Sequence, residues 1–153
     1  MTITSAICNS FKQEILVEGH NFTNGTDAFK LALFTSSATL SKSTTAYTAP
    51  ADGTATPTNT HEVSSTSTGY TTGGNALTST TPVLSGDTAC CKFADTSFTS
   101  ASFTARGCLI YNSTNANKAV CAINFGADKT VTSGTFTIQF PAQTAGNAII
   151  QIA

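Results

Sequence analysis

The side chains able to do chemistry are few and widely spaced. There are two histidines: His20 follows Gly19, and His61 stands beside Glu62 in a polar tract. A hydrolytic triad needs a histidine within reach of a nucleophile, yet the chain has no G-x-S-x-G. It also lacks H-E-x-x-H, the phosphate-cradling G-x-x-x-x-G-K-[ST] and the dinucleotide G-x-G-x-x-G. Asp27, Asp52, Asp87, Asp95 and Asp128 all fall in segments read as turns or loops, where hydrogen bonding to nearby backbone accounts for aspartate. Nothing in their spacing favours the facing carboxyl pair of a glycoside hydrolase. Calcium at Asp52-Gly53 or at Asp128 lacks a supporting D-x-D spacing. Arg106, the only arginine, is either an exposed strand residue or a bidentate anchor for a neighbour's carboxylate. The residues therefore nominate no catalytic, cofactor-binding or metal-ligating side chain, and no enzymatic activity is expected.

The five cysteines, Cys8, Cys90, Cys91, Cys108 and Cys121, are an odd number and cannot all pair within one chain. No C-x-x-C occurs, so zinc-ribbon and thioredoxin readings fail. Small buried thiols are expected; an intermolecular disulfide formed after release into an oxidising medium is the alternative. The opening MTITSAICNSFKQEILVEGH has neither a basic stretch nor a continuous apolar core of signal-peptide length, so synthesis in a cytoplasm is expected.

The elements that must position these residues follow from periodicity. Ile7, Phe11 and Ile15 recur every fourth residue beside Cys8 and Leu16, which predicts a helix over 4–18, capped by Thr4 or Ser5 and stopped at Gly19. Lys12, Gln13, Glu14 and Glu18 are expected to face outward. Phe29-Lys30-Leu31-Ala32-Leu33-Phe34 alternates as a strand with at least one core face. Residues 41–68 lose all periodicity and read as a polar loop or an arm that a partner orders. Turn signals then return at strand-like intervals across 69–153. They include a hairpin at Gly73-Gly74-Asn75, alternation over 88–94, a doubly buried Leu109-Ile110-Tyr111, alternation over 119–125, a turn over 128–134 and a strand carrying Phe136, Ile138 and Phe140. One domain over 1–153 is predicted, mainly β: an antiparallel β-sandwich or jelly roll of seven or eight strands with one N-terminal α-helix.

Composition narrows the function classes. The 153 residues include 30 Thr and 16 Ser, and only 10% are charged. Ordinary soluble domains carry roughly 25% charged residues. Threonine favours pleated, half-buried surface. Seven scattered basic residues and a net charge of −1 leave no electrostatic footprint for nucleic acid. No apolar run is long enough to span a membrane as a helix.

Three stretches carry a resemblance: MTITSAICNSF at 1–11, FKLALFTSSATL at 29–40, and ARGCLIYNST at 105–114 with FTIQFP and the final NAIIQIA. They resemble small virion proteins of tailed bacteriophages of marine and freshwater bacteria, cyanobacteria among them. The likeness spans most of the chain outside 41–68 and carries no functional residue across. It implies a structural virion component, a capsid decoration or cement protein that stabilises the phage head by binding the major capsid protein, often as a trimer. An arm or an unpaired strand edge would reach the neighbour. An alternative is a tail or fibre module that binds a host surface glycan, with Tyr47, Tyr70 and Tyr111 forming the face.

Overall fold

The structure, a computed structural model, describes residues 2–48 and 61–153. It is mainly β: two antiparallel sheets with one short N-terminal helix, as in a β-sandwich. In chain order the elements are β1 (Ala6–Ile7), α1 (Asn9–Glu14) continued by a 3-10 turn at Ile15–Val17, β2 (Phe29–Phe34), β3 (Asn75–Leu77), β4 (Ser79–Ser85), β5 (Thr88–Phe93), β6 (Thr96–Asn112), β7 (Lys118–Ile138) and β8 (Ile150–Ile152). The larger sheet runs β1-β7-β6-β2-β3 and the smaller β4-β5-β8.

The core follows from strands apolar on both faces. In β2 only Lys30 is not buried, and Leu109, Ile110 and Tyr111 of β6 lie opposite it in register with Ala32, Leu31 and Lys30. An aromatic chain crosses the interior: Phe22 stacks on Phe29, Phe29 touches Phe93, and Phe93 touches Phe140. Each fully buried side chain of this size contributes about 1.5–3 kcal/mol, and Phe29 against Phe93 ties β2 of one sheet to β5 of the other.

The helix is shorter than the 4–18 periodicity predicts. Residues 3–7 are drawn into the sheet instead: Ala6 and Ile7 pair with Ala122 and Cys121, and the Ser5 hydroxyl accepts the Asn124 amide at 2.8 Å. Cys8 becomes the N-cap, without a side-chain cap bond. The apolar stripe does face the core, with Phe11 buried and α1 packed on β7. Glu18 takes a left-handed conformation and the Gly19 amide closes onto the Glu14 carbonyl at 2.7 Å.

The turn expected over 128–134 is instead the middle of a 21-residue strand. The signals that suggest a turn are bulges. The β6–β7 register shifts between Ala101/Phe103 and again between Ala105/Gly107, and Ser133 and Gly126 adopt positive φ there. An extra residue on one strand breaks the period of two without ending the ladder. The 69–72 half of the expected hairpin is not a strand; β3 pairs with β2 instead.

Within the polar tract 41–68, residues 49–60 lie outside the described residues. The two described ends are anchored on the larger sheet. The Tyr47 amide donates to the Asn117 carbonyl at 2.8 Å, and the Val63 amide to the Leu33 carbonyl at 2.9 Å. Among the described residues no helix is long and apolar enough to cross a membrane.

Candidate functional site

Two polar clusters and one apolar strip collect the side chains with functional potential. The first cluster is centred on Glu62. An isolated bridge between Glu62 and Phe34 at the end of β2 holds its backbone, and buried Val63 anchors the next residue. Its carboxylate accepts the Tyr47 hydroxyl at 3.0 Å, the Tyr70 hydroxyl at 2.6 Å and the Gly73 amide at 2.7 Å. Tyr111 stacks on Tyr47 with centroids 4.4 Å apart and donates to the Gly73 carbonyl at 2.7 Å. Burial raises all three tyrosine pKa values, and the Glu62 charge raises them further. At the turn that brings Gly73 here, Gly74 has φ +75°, and a Cβ added there would fall 1.8 Å from the Leu31 carbonyl oxygen. Only glycine fits that position.

The arrangement corrects the glycan-face reading of these tyrosines. Tyr47, Tyr70 and Tyr111 are 5%, 3% and 2% exposed, and their hydroxyls point inward. A sugar-stacking platform needs an open ring face; these rings are clamps that hold the 61–73 segment onto β2 and β6.

The second cluster is centred on His20, which is buried. Its Nε2 lies 2.7 Å from Glu14 Oε2, and Lys118 Nζ is 3.7 Å from the other Glu14 oxygen. Glu14 thus turns inward, against the expectation that it faces solvent. Asn112, fully buried at the end of β6, fixes the histidine tautomer. Its Oδ1 accepts the Thr114 and Asn115 amides at 3.1 and 3.2 Å. This points its Nδ2 at Asp27 Oδ2 (2.7 Å) and at His20 Nδ1 (3.2 Å). With Nδ1 as acceptor, Nε2–H is the donor to Glu14. Asp27 also accepts the Asn21 amide at 2.8 Å. Although a Glu–His pair resembles part of a catalytic relay, the other ring nitrogen faces an amide, not a nucleophile. The geometry orders the 19–28 loop against the 112–118 turn.

The remaining candidates are dispersed. His61 is exposed with φ 67°, and its carbonyl accepts the Thr35 amide. Arg106 pairs with Asp128 of its own chain at 3.1 Å, and both side chains are substantially exposed. Such a pair contributes about 0–1 kcal/mol. Asp128 therefore lies in a strand and not in a turn. Asp95 accepts the Phe140 amide at 2.9 Å, Asp87 is exposed in the β4–β5 turn, and Asp52 lies outside the described residues. Among the described residues no group of three or more His, Cys, Asp or Glu is placed to hold a metal ion. All five thiols are free and buried, and burial pushes Cys8 up to about 11 and Cys121 up to about 12. Buried thiols are poor partners for an intermolecular disulfide.

The third feature is apolar and outward-facing. Leu84, Ala89 and Ile152 lie in register across the smaller sheet and so share a face. Leu84 is 75% exposed and Ile152 54%. Ile152 continues the strip onto Ile15 and Leu16 across a shallow cleft of about 310 Å³. Leu16 and Val17, at the end of the 3-10 turn, are 83% and 71% exposed. The helical stripe hinted at Leu16, whereas joining it to Leu84 and Ile152 requires the tertiary fold. Comparison with protein-family models, with curated proteins and with solved structures finds no match for this chain.

Proposed function

We propose that the chain is a non-enzymatic decoration or cement protein of a phage head, bound to the major capsid protein. The observation that carries this reading is the exposed strip of Leu84, Ile152, Leu16 and Val17 on a β-sandwich with few charges. Contiguous exposed apolar surface rimmed by polar residues marks interaction sites. The chain's 30 Thr and 16 Ser would add many weak hydrogen bonds over a broad contact. The Glu62 and His20 clusters serve the same end, since their acceptors and donors hold the fold's own loops in shape. The resemblance to small virion proteins supplies the partner, and repetition on a capsid lattice would add avidity to a modest single contact.

Binding of the purified chain to heads stripped of decoration tests this. The wild type is expected to sediment with such heads. Leu84→Glu with Ile152→Glu, both at exposed positions, is expected to remain in the supernatant while keeping its fold. Undiminished binding by that variant, or none by the wild type, removes the proposal.

A further inference from the structure

The outer edge of β7 lies apart from the apolar strip. Beyond β1, which covers only Ala122 and Cys121, no described strand lies on the outer side of β7. Natural sheets blunt their edges by shortness, proline or bulges. Other edges are blunted: β1, β3 and β8 have two or three residues, β4 contains Pro82 and a register shift between Thr80/Val83, and the 96–106 stretch of β6 that β2 leaves uncovered is bulged between Phe98/Ala101 and bonded from the Ser102 amide to the Thr68 carbonyl. β7 is itself bulged at Ser133, but from there to Ile138 it runs without interruption, because the next irregularity, between Phe98/Ala101, places its extra residue in β6.

That run is Gly134-Thr135-Phe136-Thr137-Ile138, symmetric about Phe136 over its central three residues. From Thr130 to the last residue there is no charged side chain, so two copies of this edge meet without like-charge contact, and a charged partner gains nothing here. Phe136 is half-buried against Phe98 and Phe103, and beside it opens a cleft of about 680 Å³ lined in part by Phe125, Ile138, Phe140 and Ile149. Thr135 and Thr137 are exposed on the opposite face.

We propose that this edge pairs with the same edge of a second copy, antiparallel about a two-fold axis at Phe136. Phe136 then faces its symmetry mate, Thr135 of each copy faces Thr137 of the other, and Gly134 faces Ile138. Aromatic–aromatic and Thr–Thr cross-strand pairs each contribute about 0.2–1 kcal/mol relative to alanine pairs. The pairing is isologous, so it closes as a dimer that uses up this β7 edge in both copies. It differs from the trimer that the resemblance implies, and it does not depend on the capsid reading.

Sedimentation equilibrium of the full-length chain tests the pairing through its register. The wild type is expected to give twice the 15.7 kDa chain mass. Thr135→Lys with Thr137→Lys sets lysine against lysine across the axis and is expected to give the monomer mass. Thr135→Lys with Thr137→Glu sets lysine against glutamate at both symmetric positions and is expected to restore the dimer. A monomeric or trimeric wild type, or identical behaviour of the two double variants, overturns the proposal. Circular dichroism showing wild-type β content in both variants makes the comparison one of association and not of folding.

Discussion

The Tyr70 hydroxyl donates to Glu62 at 2.6 Å and accepts the Leu33 amide at 3.0 Å, so one side chain fastens the loop before β3 to the C-terminal end of β2. Glu62 in turn gathers Tyr47 and the Gly73 amide. A buried donor left without a partner costs about 1–3 kcal/mol. Glu62→Ala orphans several at once and is expected to lower the unfolding free energy by at least about 2 kcal/mol in denaturant titration. Glu62→Gln keeps an acceptor oxygen and is expected to lose less. Equal, negligible losses for both would show that the cluster does not hold the loop.

The tyrosines also make a pH prediction. Burial, followed by the Glu62 charge, raises the folded values of Tyr47, Tyr70 and Tyr111 above the ordinary value of 10.0. A raised acid binds its proton more tightly folded than unfolded. Its contribution is therefore intact below the unfolded value and declines as pH rises from there toward the folded values. Tyrosinate absorbance is expected to stay flat past pH 10 and then to rise together with loss of β circular dichroism. A smooth titration at pH 10 in folded protein would contradict the buried network.

All five thiols should resist modification. Their burial, and the raised pKa that burial causes at Cys8, Cys108 and Cys121, predict slow reaction with an aromatic disulfide reagent in native buffer and five equivalents in guanidinium. Rapid reaction of one or more thiols in the native protein would show an opening the fold does not contain.

Asn112 orders two loops through four hydrogen bonds. Asn112→Ala is expected to destabilise the chain by about 2 kcal/mol or more, because Asp27, His20 and two backbone amides lose a buried partner. Amide exchange should speed up at 113–115 and over 19–28. Unchanged exchange there would place the loop order elsewhere.

Alternation made β2, β5 and the inner parts of β6 and β7 legible, since side chains on a pleated strand alternate faces and a buried face must be apolar. Bulges hid the full length of β7: Gly126 and Ser133 carry the same left-handed geometry as a turn. The helix over-extended because Ile7 fits the helical stripe and the sheet edge equally well, and only pairing with Cys121 decides between them. The two polar clusters were illegible for another reason. Glu62 lies 15 residues from Tyr47 and eight from Tyr70, and His20 lies 92 from Asn112. Such contacts have no local period. The apolar strip was half-visible, with Leu16 on the helical stripe, while Leu84 and Ile152 become its neighbours only through the β4-β5-β8 register.

The most direct measurement is the amount and position of this chain in intact particles, by quantitative mass spectrometry of purified virions combined with a cryo-electron microscopy map of the head. A protein that works by covering and tying capsid subunits should occur in a fixed ratio to the major capsid protein, with density over the joints of the lattice. Confinement to the tail, a few copies per particle, or absence from the virion would contradict the account.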